Sequence, residues 1–285
     1  MRKINISEFP SILNLLHDPD ERTFELLEPQ LYNQNEDFYQ KLDKEYKHTN
    51  EEILKVRLEK IFYNRNYKKI LDAFRNLPFD ENGDLKLESA VMLLAKTEYP
   101  NLDEYKYTKT LDEMAEQLSK ILLPTIKDPL LVIEIINEYF FSELGFRGND
   151  SNYLDPDNSY INKVIERKTG IPITLSVLYL LITNRLGLPF YGVGMPGHFI
   201  VMYKQGNFEV FTDPFNQGRL LTRNDCINFL NYSGYGFLER YLHPTSNRDI
   251  LCRMVRNLLL VYRENNNPEK SQYLREVLDI IETNY

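Results

Sequence analysis

The sequence contains little cysteine, no tryptophan and no long apolar run. Its 285 residues include two cysteines, Cys226 and Cys252, which form neither a CxxC pattern nor a regular spacing. This usage argues against a disulfide framework and a zinc site, and it is typical of a reducing compartment. No run of about 18 apolar residues occurs, and no apolar segment follows the basic N-terminus as in a cleaved signal. We therefore expect a soluble, cytoplasmic protein.

Clustered positive charge is also missing. The formal net charge is −8, and residues 1–150 carry 20 Lys and Arg against 29 Asp and Glu, while residues 151–285 carry 14 against 13. Binding to phosphate backbones depends mainly on clustered cations, so a nucleic-acid partner is not expected. A membrane partner is not expected either. Hydrophobic residues make up 42% and charged residues 27%, which is ordinary for a globular protein of about two domains.

Amphipathic helical patterns fill the first 80 residues. Apolar residues recur every three or four positions from Phe9 to Phe74, and Asp20 stands where it would cap the second helix. The segment LLHDPDERTFELLEPQL resembles one unit of a HEAT-type helical repeat. We therefore expect a helical, HEAT-like segment over residues 1–80.

Helices continue to residue 187 and then give way to strands. Asp128 and Pro129 have the pattern of a helix start, and a polar loop at FRGNDSNYLDPDNS precedes a helix that Asn158 or Ser159 would cap. The next stretch, IPITLSVLYLLITNRLG, is apolar on nearly every side, which predicts a buried central helix. Period-two patterns in FYGVGM, HFIVMYK, NFEVFTD and RLL then predict an antiparallel meander. Thr222 and Asp225 predict a capping box, and two helices, roughly 247–265 and 268–283, end the chain.

The two longest strands predict a catalytic-type pair. If Gln205 and Gly206 form the hairpin turn, His198 lies directly across from Asp213. Opposed residues have Cβ atoms about 4.5 to 5.5 Å apart, so the carboxylate could accept from the imidazole and fix its tautomer, as in half of a catalytic triad. The alternative interpretation is an ordinary structural hydrogen bond at the end of a sheet.

A longer stretch carries a family resemblance. The residues RGNDSNYLDPDNSYINKVIERKTGIPITLSVLYLLITNRLGLPFYGVGMPGHFIV, followed by FTDPFNQGRLLTRNDC, resemble the SirB-type transglutaminase-like family of bacteria. The resemblance is dense over about 145–226 and extends over roughly 85–265, including a helix that resembles the opening of a tetratricopeptide segment. It implies an α+β, papain-related domain over 81–245, in which a central buried helix packs on a small antiparallel sheet. Helical repeat-like segments at 1–80 and 246–285, the latter a tetratricopeptide-like pair, would flank it.

The resemblance puts catalysis in doubt, because Pro172 occupies the position at which catalytic relatives carry the nucleophilic Cys. His198 and Asp213 match the His and Asp of the family. Thr174 and Ser176, further along the same helix, are weak substitutes, since such hydroxyls usually bond a helix carbonyl. Cys226, in the first turn of a predicted helix, is a weaker substitute, and Cys252 is expected to be a small core residue.

Six polar residues in and after the loop also match the family pattern. Two interpretations are open for them, a ligand-binding role and a role in ordering the loop through caps and turns. They are Arg147, Asn149, Asp155, Asn158, Glu166 and Arg167.

Two functions from different classes fit these features. The first is a non-catalytic module that keeps His198 and Asp213 and binds a protein or peptide. The alternative is a residual hydrolase or acyl transferase that uses this pair with Thr174, Ser176 or an activated water. No cofactor and no metal is expected, and the sequence leaves the oligomeric state open.

Overall fold

The computed structural model describes residues 6–122 and 128–284, and the chain divides into two compact units, Met1–Ala73 and Phe74–Tyr285. Part of the stretch predicted as helical after Leu85, residues 123–127, lies outside the described residues. Within the described ranges, no helix combines the length and the apolar character that crossing a membrane would require.

The first unit is helical, as its apolar periodicity predicts. The carboxylate of Asp20 accepts a hydrogen bond from the backbone N–H of Arg22 at 3.0 Å, which is the predicted cap. Phe9, Leu16 and Phe24 belong to a buried apolar cluster. The helices are α1 (Phe9–His17), α2 (Glu21–Leu31), α3 (Glu36–His48) and α4 (Glu52–Arg75).

The second unit surrounds one helix that is buried along most of its length. Its helices before the sheet are α5 (Leu87–Lys96), α6 (Glu104–Ile121), α7 (Pro129–Asn137), α8 (Ile161–Arg167) and α9 (Pro172–Arg185). In α9 every residue from Pro172 to Thr183 is buried. Because α6 and α8 pack on some faces of α9 and the sheet packs on another, all its sides contact protein, which confirms the predicted central helix.

The sheet is the predicted antiparallel meander. Its strands, which the chain visits in spatial order, are β3 (Phe190–Val193), β4 (Ile200–Gln205), β5 (Phe208–Asp213) and β6 (Arg219–Leu221). Two shorter strands, β1 (Arg147–Gly148) and β2 (Thr169–Gly170), form a separate parallel pair that the sequence analysis did not predict. Helix α10 (Arg223–Tyr232) follows the meander and begins with the predicted Thr222–Asp225 capping box.

The predicted register of the central hairpin is wrong by two residues. Val201 pairs with Thr212 and Gln205 with Phe208, so the turn consists of Gly206 and Asn207. The positive φ of Gly206 (58°) places that residue at the first turn position, where glycine is favoured. A shift of two residues returns each side chain to the same face of the sheet, so the apolar pattern alone could not distinguish the two registers.

The predicted cap of α8 is also wrong. The residue before α8 is Tyr160, which makes no capping hydrogen bond through its side chain. Asn158 instead ends a short 3-10 turn, Pro156–Asn158, and its buried side chain bonds within the preceding loop. The Asp128 cap and Pro129 start of α7 are as predicted, although the helix continues through a π-helical turn, Glu138–Glu143.

The two C-terminal helices are α11 (Asn247–Glu264) and α12 (Pro268–Asn284). Helix α11 packs on α12, α5 and α9, and residues such as Ile250, Leu251 and Leu258 are buried. Asp84 accepts from the backbone N–H groups of Asn247 at 2.6 Å and of Arg248 at 3.3 Å. Helix α11 is therefore part of the core of the second unit.

Candidate functional site

His198 and Asp213 meet at one end of the sheet. Nε2 of His198 lies 2.7 Å from Oδ2 of Asp213, so the predicted hydrogen bond is present. The predicted direct opposition is not, because β4 begins only at Ile200 and Asp213 pairs in the sheet with Arg219. His198 reaches the carboxylate from the loop before β4. With Nε2 bonded to the carboxylate, the other ring nitrogen, Nδ1, is the one available to a second group.

Asp213 is held as a carboxylate by several donors. Burial of this side chain, which is 4% exposed, favours its neutral form. Hydrogen bonds from His198 and from Asn216 outweigh burial and lower the pKa of Asp213 below its usual value. Oδ1 accepts from the backbone N–H of Phe215 at 3.1 Å, and Oδ2 accepts from Nδ2 of Asn216 at 2.8 Å. The turn Pro214–Asn216 therefore fixes the carboxylate that orients His198.

Aromatic side chains surround the imidazole. The ring centroid of His198 lies 6.3 Å from that of Phe215 and 5.7 Å from that of Phe229. Tyr153 packs edge-on against Phe215 at 6.2 Å, and the Tyr235 ring lies against Gly197. Tyr153 (45% exposed), Phe229 (37%) and Tyr235 (52%) keep much of their area open to solvent. We call Tyr153, Phe215, Phe229 and Tyr235 the aromatic rim.

Arg253 of α11 also contacts the loop that carries His198. Its Nη2 donates to the backbone carbonyl of His198 at 2.8 Å, and its guanidinium lies 5.4 Å from the centre of the Phe199 ring. The sequence analysis missed this residue and the aromatic rim. Arg253 follows His198 by 55 positions on a helix assigned to a separate flank, so no spacing pattern connects the two.

No reactive hydroxyl faces His198 among the described hydrogen bonds. Pro172 begins α9, and Thr174 and Ser176 are both buried. The Ser176 hydroxyl donates to the carbonyl of Phe199 at 3.4 Å, whereas the Thr174 hydroxyl has no hydrogen-bond partner. Neither therefore forms the nucleophile–base contact that characterises an activated hydroxyl.

Both thiols are buried. Cys226 is fully buried in an apolar cluster with Val193, Ile200 and Phe211. Burial, and to a smaller extent the charge of Asp225, raises the pKa of the Cys226 thiol to about 12. Burial also raises the pKa of Cys252. A nucleophilic cysteine needs a lowered pKa and access to substrate, and these two have neither.

Four of the six polar residues from the loop bond to one another; we call Asn149, Asp155, Asn158 and Arg167 the loop network. Nδ2 of Asn149 donates to Oδ1 of Asn158 at 2.9 Å, and Nη1 of Arg167 donates to Oδ2 of Asp155 at 2.9 Å. Nδ2 of Asn158 donates to the carbonyl of Asn152 at 2.7 Å. These contacts order the loop that carries Tyr153.

The other two polar residues lie elsewhere. Glu166 accepts from Tyr107 of α6 at 2.5 Å, which connects α8 to α6, and from Lys163 within α8 at 3.1 Å. Arg147 is exposed and lines a cleft of 520 Å³ beside Asn137 and Gly218. The structure therefore does not bring all six residues together, and their ligand-binding role stays a prediction.

Possible metal ligands and the position of one cleft both bear on the surroundings of His198. Within residues 6–122 and 128–284, no group of three or more His, Cys, Asp and Glu side chains could hold a metal ion. A cleft of 610 Å³ lies instead between Asp80, Asp84 and Tyr191, and its lining does not include His198 or Asp213. The site at His198 is the partly exposed end of the sheet, where Asp213 orients one imidazole.

The second unit contains a segment that is similar to known proteins. The model of the transglutaminase-like superfamily matches residues 105–256, which is more than half of the chain and includes α9, His198 and Asp213. A UPF0162 protein of Xylella fastidiosa (strain Temecula1) is 36% identical over 199 residues, which cover 68% of this chain and 70% of that protein. The chain belongs to the transglutaminase-like superfamily. Its second unit has the fold that the sequence predicts, a buried helix on a small antiparallel sheet with flanking helices.

Other relatives match smaller parts of the chain. A UPF0162 protein of Vibrio cholerae is 31% identical over 107 residues, or 36% of this chain and 40% of that protein. F-box only protein 21 of Mus musculus is 32% identical over 157 residues, which are 52% of this chain but 25% of that protein. No solved structure matches the chain significantly.

Proposed function

We propose that this protein is a non-catalytic transglutaminase-like module that binds a protein or peptide on the surface around His198 and Asp213. The observation that carries the proposal is the combination of an intact His–Asp pair with Pro172 at the start of the central helix. Proline has no group that could attack a carbonyl. The His–Asp pair is thus retained, whereas the position of the nucleophile is occupied by proline.

The aromatic rim supports binding as the remaining use of this surface. Three of its side chains are more than a third exposed, and exposed tyrosine and phenylalanine are enriched where proteins contact partners. Ring contacts hold two of them in place, because Tyr153 packs on Phe215 and Phe229 packs on His198. A rigid, amphipathic rim loses little conformational entropy when a partner docks.

Occurrence of the same segment in a longer protein supports the module interpretation. The matched region forms a quarter of F-box only protein 21, so it is combined there with other sequence. In the present chain it is combined with the helical first unit. We propose that this unit, with its HEAT-like sequence pattern, and the tetratricopeptide-like pair α11 and α12 supply additional partner surface.

Selection of peptides on the full chain tests the proposal. Peptides selected from a random displayed library should lose at least tenfold in affinity for Tyr235→Ser or Phe229→Ser. The matched control is Tyr105→Ser, because Tyr105 is 75% exposed in the same unit and lies outside the aromatic rim. The proposal would be contradicted if the selected peptides bound Tyr235→Ser and Phe229→Ser as tightly as they bind the unmodified chain.

The alternative function is a residual hydrolase or acyl transferase. The observation that favours it is the buried Thr174 hydroxyl, which lacks a hydrogen-bond partner and stands in the first turn of the central helix. Incubation of the full chain with the selected peptides, followed by mass spectrometry, should show neither cleavage nor acyl transfer. Turnover that is abolished by Thr174→Val or His198→Ala, but not by Cys226→Ser, would establish the alternative instead.

A further inference from the structure

Arg253 is a partly buried arginine without an acidic partner, in contrast to three other arginines of the second unit. Arg167 binds Asp155 and Asp157, Arg185 binds Glu88 and Asp112, and Arg223 binds Glu209 and Glu239. Among the described residues, no carboxylate lies within ion-pair distance of Arg253. The side chain is nevertheless partly buried, and burial lowers the pKa of its guanidinium. A bound anion would stabilise a partly buried guanidinium that has no carboxylate partner.

The guanidinium is fixed before any ligand arrives. One hydrogen bond joins it to the carbonyl of His198, and its face lies 5.4 Å from the centre of the Phe199 ring. Gly194 leaves room for it, since a Cβ at that position would lie 3.2 Å from Nη1. Guanidinium has five N–H donors, and none of those of Arg253 is buried without a partner. The donors that do not reach His198 are therefore accessible to solvent.

The surroundings favour a single negative charge. The phenol groups of Tyr153 and Tyr235 in the aromatic rim act on the charge of Arg253. Phosphate groups are usually bound by clusters of cations, whereas one planar guanidinium matches a carboxylate through two parallel hydrogen bonds. The exposed rings of the aromatic rim can contact the adjoining apolar part of a peptide.

We propose that Arg253 binds a carboxylate of the peptide or protein that occupies the surface around His198. The carboxylate belongs either to a C-terminus or to an acidic side chain. This inference rests on the proposed binding function, because it names the chemistry of an occupant of the same surface. Arg253 acts here as a specificity-determining residue next to the His–Asp pair.

Nuclear magnetic resonance of the full chain tests the inference at constant ionic strength. The probes are acetate, N-acetyl-trialanine with a free C-terminus, the same peptide as its C-terminal amide, and an amidated Ala-Glu-Ala peptide. The resonances to follow are the side-chain N–H groups of Arg253 and the rings of His198 and Phe229. We expect acetate and at least one carboxylate-bearing peptide to shift the Arg253 resonances, and the neutral amide not to do so. The free acid and the Glu peptide distinguish the two sources of carboxylate.

Variants of the arginine separate binding from support of the loop. Arg253→Gln should weaken binding of the carboxylate peptide at least tenfold, whereas Arg253→Lys, which retains the charge, should retain part of it. The matched control is Arg256→Gln on the same helix, because Arg256 pairs with Glu282 at the surface. That control should bind within twofold of the unmodified chain.

The outcomes separate this inference from the proposed function. If the neutral amide shifts His198 and Phe229 as much as the free acid does, peptide binding stands and the role of Arg253 is overturned. If acetate shifts Arg253 but every peptide leaves Phe229 unchanged, the carboxylate site stands and peptide binding fails. If no probe shifts Arg253, or if Arg253→Gln binds as well as the unmodified chain, the inference is wrong.

Discussion

Two polar regions of the second unit are built from similar residues but differ in how fully their hydrogen bonds are satisfied. In the loop network, the side chains of Asn149, Asp155, Asn158 and Arg167 all have partners within the protein. At the end of the sheet, His198 bonds Asp213 through one ring nitrogen, and Arg253 makes one hydrogen bond, to a carbonyl. The first region is closed and the second is open.

The difference separates support from recognition. A network in which every side chain has a partner gains rigidity and leaves few donors or acceptors for a ligand. An open donor beside exposed aromatic rings costs little in stability while it can still bond water, and it is available to a partner. Substitutions in the loop network should therefore mainly lower stability, and substitutions at the end of the sheet near His198 should mainly lower binding.

The largest loss of stability is expected for Asn158→Ala. Asn158 is fully buried, and its removal leaves Nδ2 of Asn149 and the carbonyl of Asn152 without these partners. We expect a loss of about 3 kcal/mol in the free energy of unfolding, measured with urea on the full chain. The exposed Asn101→Ala should change this free energy by less than about 0.5 kcal/mol. A loss below about 1 kcal/mol at Asn158 would show that the network is not essential.

Gly148→Ala should couple the two regions. A Cβ at this position would lie 2.7 Å from the Phe215 ring and 2.8 Å from the Phe215 carbonyl oxygen. We expect a loss of about 2 kcal/mol from overpacking, measured by urea unfolding. Because Phe215 lies beside His198, the imidazole resonances should shift as well. Unchanged imidazole resonances would indicate that the loop around Gly148 shifts while the turn Pro214–Asn216 keeps its position.

His198→Ala should cost about 1 to 2 kcal/mol, the value of one partly buried hydrogen bond to a charged group. Asp213 would keep the donors from Phe215 and Asn216, so the turn should persist. Thermal unfolding measures the loss. Collapse of the second unit would place His198 among the residues that hold the core and would blur the distinction between the two regions.

The smallest effect should appear in the acid dependence of stability. Hydrogen bonds keep the pKa of Asp213 below its usual value in the folded chain, against the opposing effect of burial. The resulting stabilisation is complete above the unfolded pKa of about 3.9 and is lost as the pH falls through the lower folded pKa. The advantage of the unmodified chain over Asp213→Asn should therefore shrink as the pH falls below about 4 in urea unfolding. A constant or growing advantage would contradict the assigned charge.

Helical and strand segments were predictable because each depends on local pattern. The caps at Asp20 and Asp128, the Thr222–Asp225 box and the all-round apolar character of α9 follow from side chains within a few residues of one another. The hairpin register was not predictable, since a shift of two residues preserves the face of every side chain. The predicted cap of α8 was wrong because the Asn158 side chain bonds to residues of the preceding loop instead.

By itself, the sequence determined the order of the elements, the buried helix that starts at Pro172 and the pair His198 and Asp213. These features arise from periodicity, from local hydrogen bonds and from a motif that lies within one stretch of chain. Only the tertiary structure decided what surrounds the pair. Tyr153 comes from the loop, Phe229 and Tyr235 from α10 and the turn after it, and Arg253 from α11, and packing of these three segments around the sheet brings them together. Contacts between distant segments depend on how whole faces pack, and no local pattern encodes them.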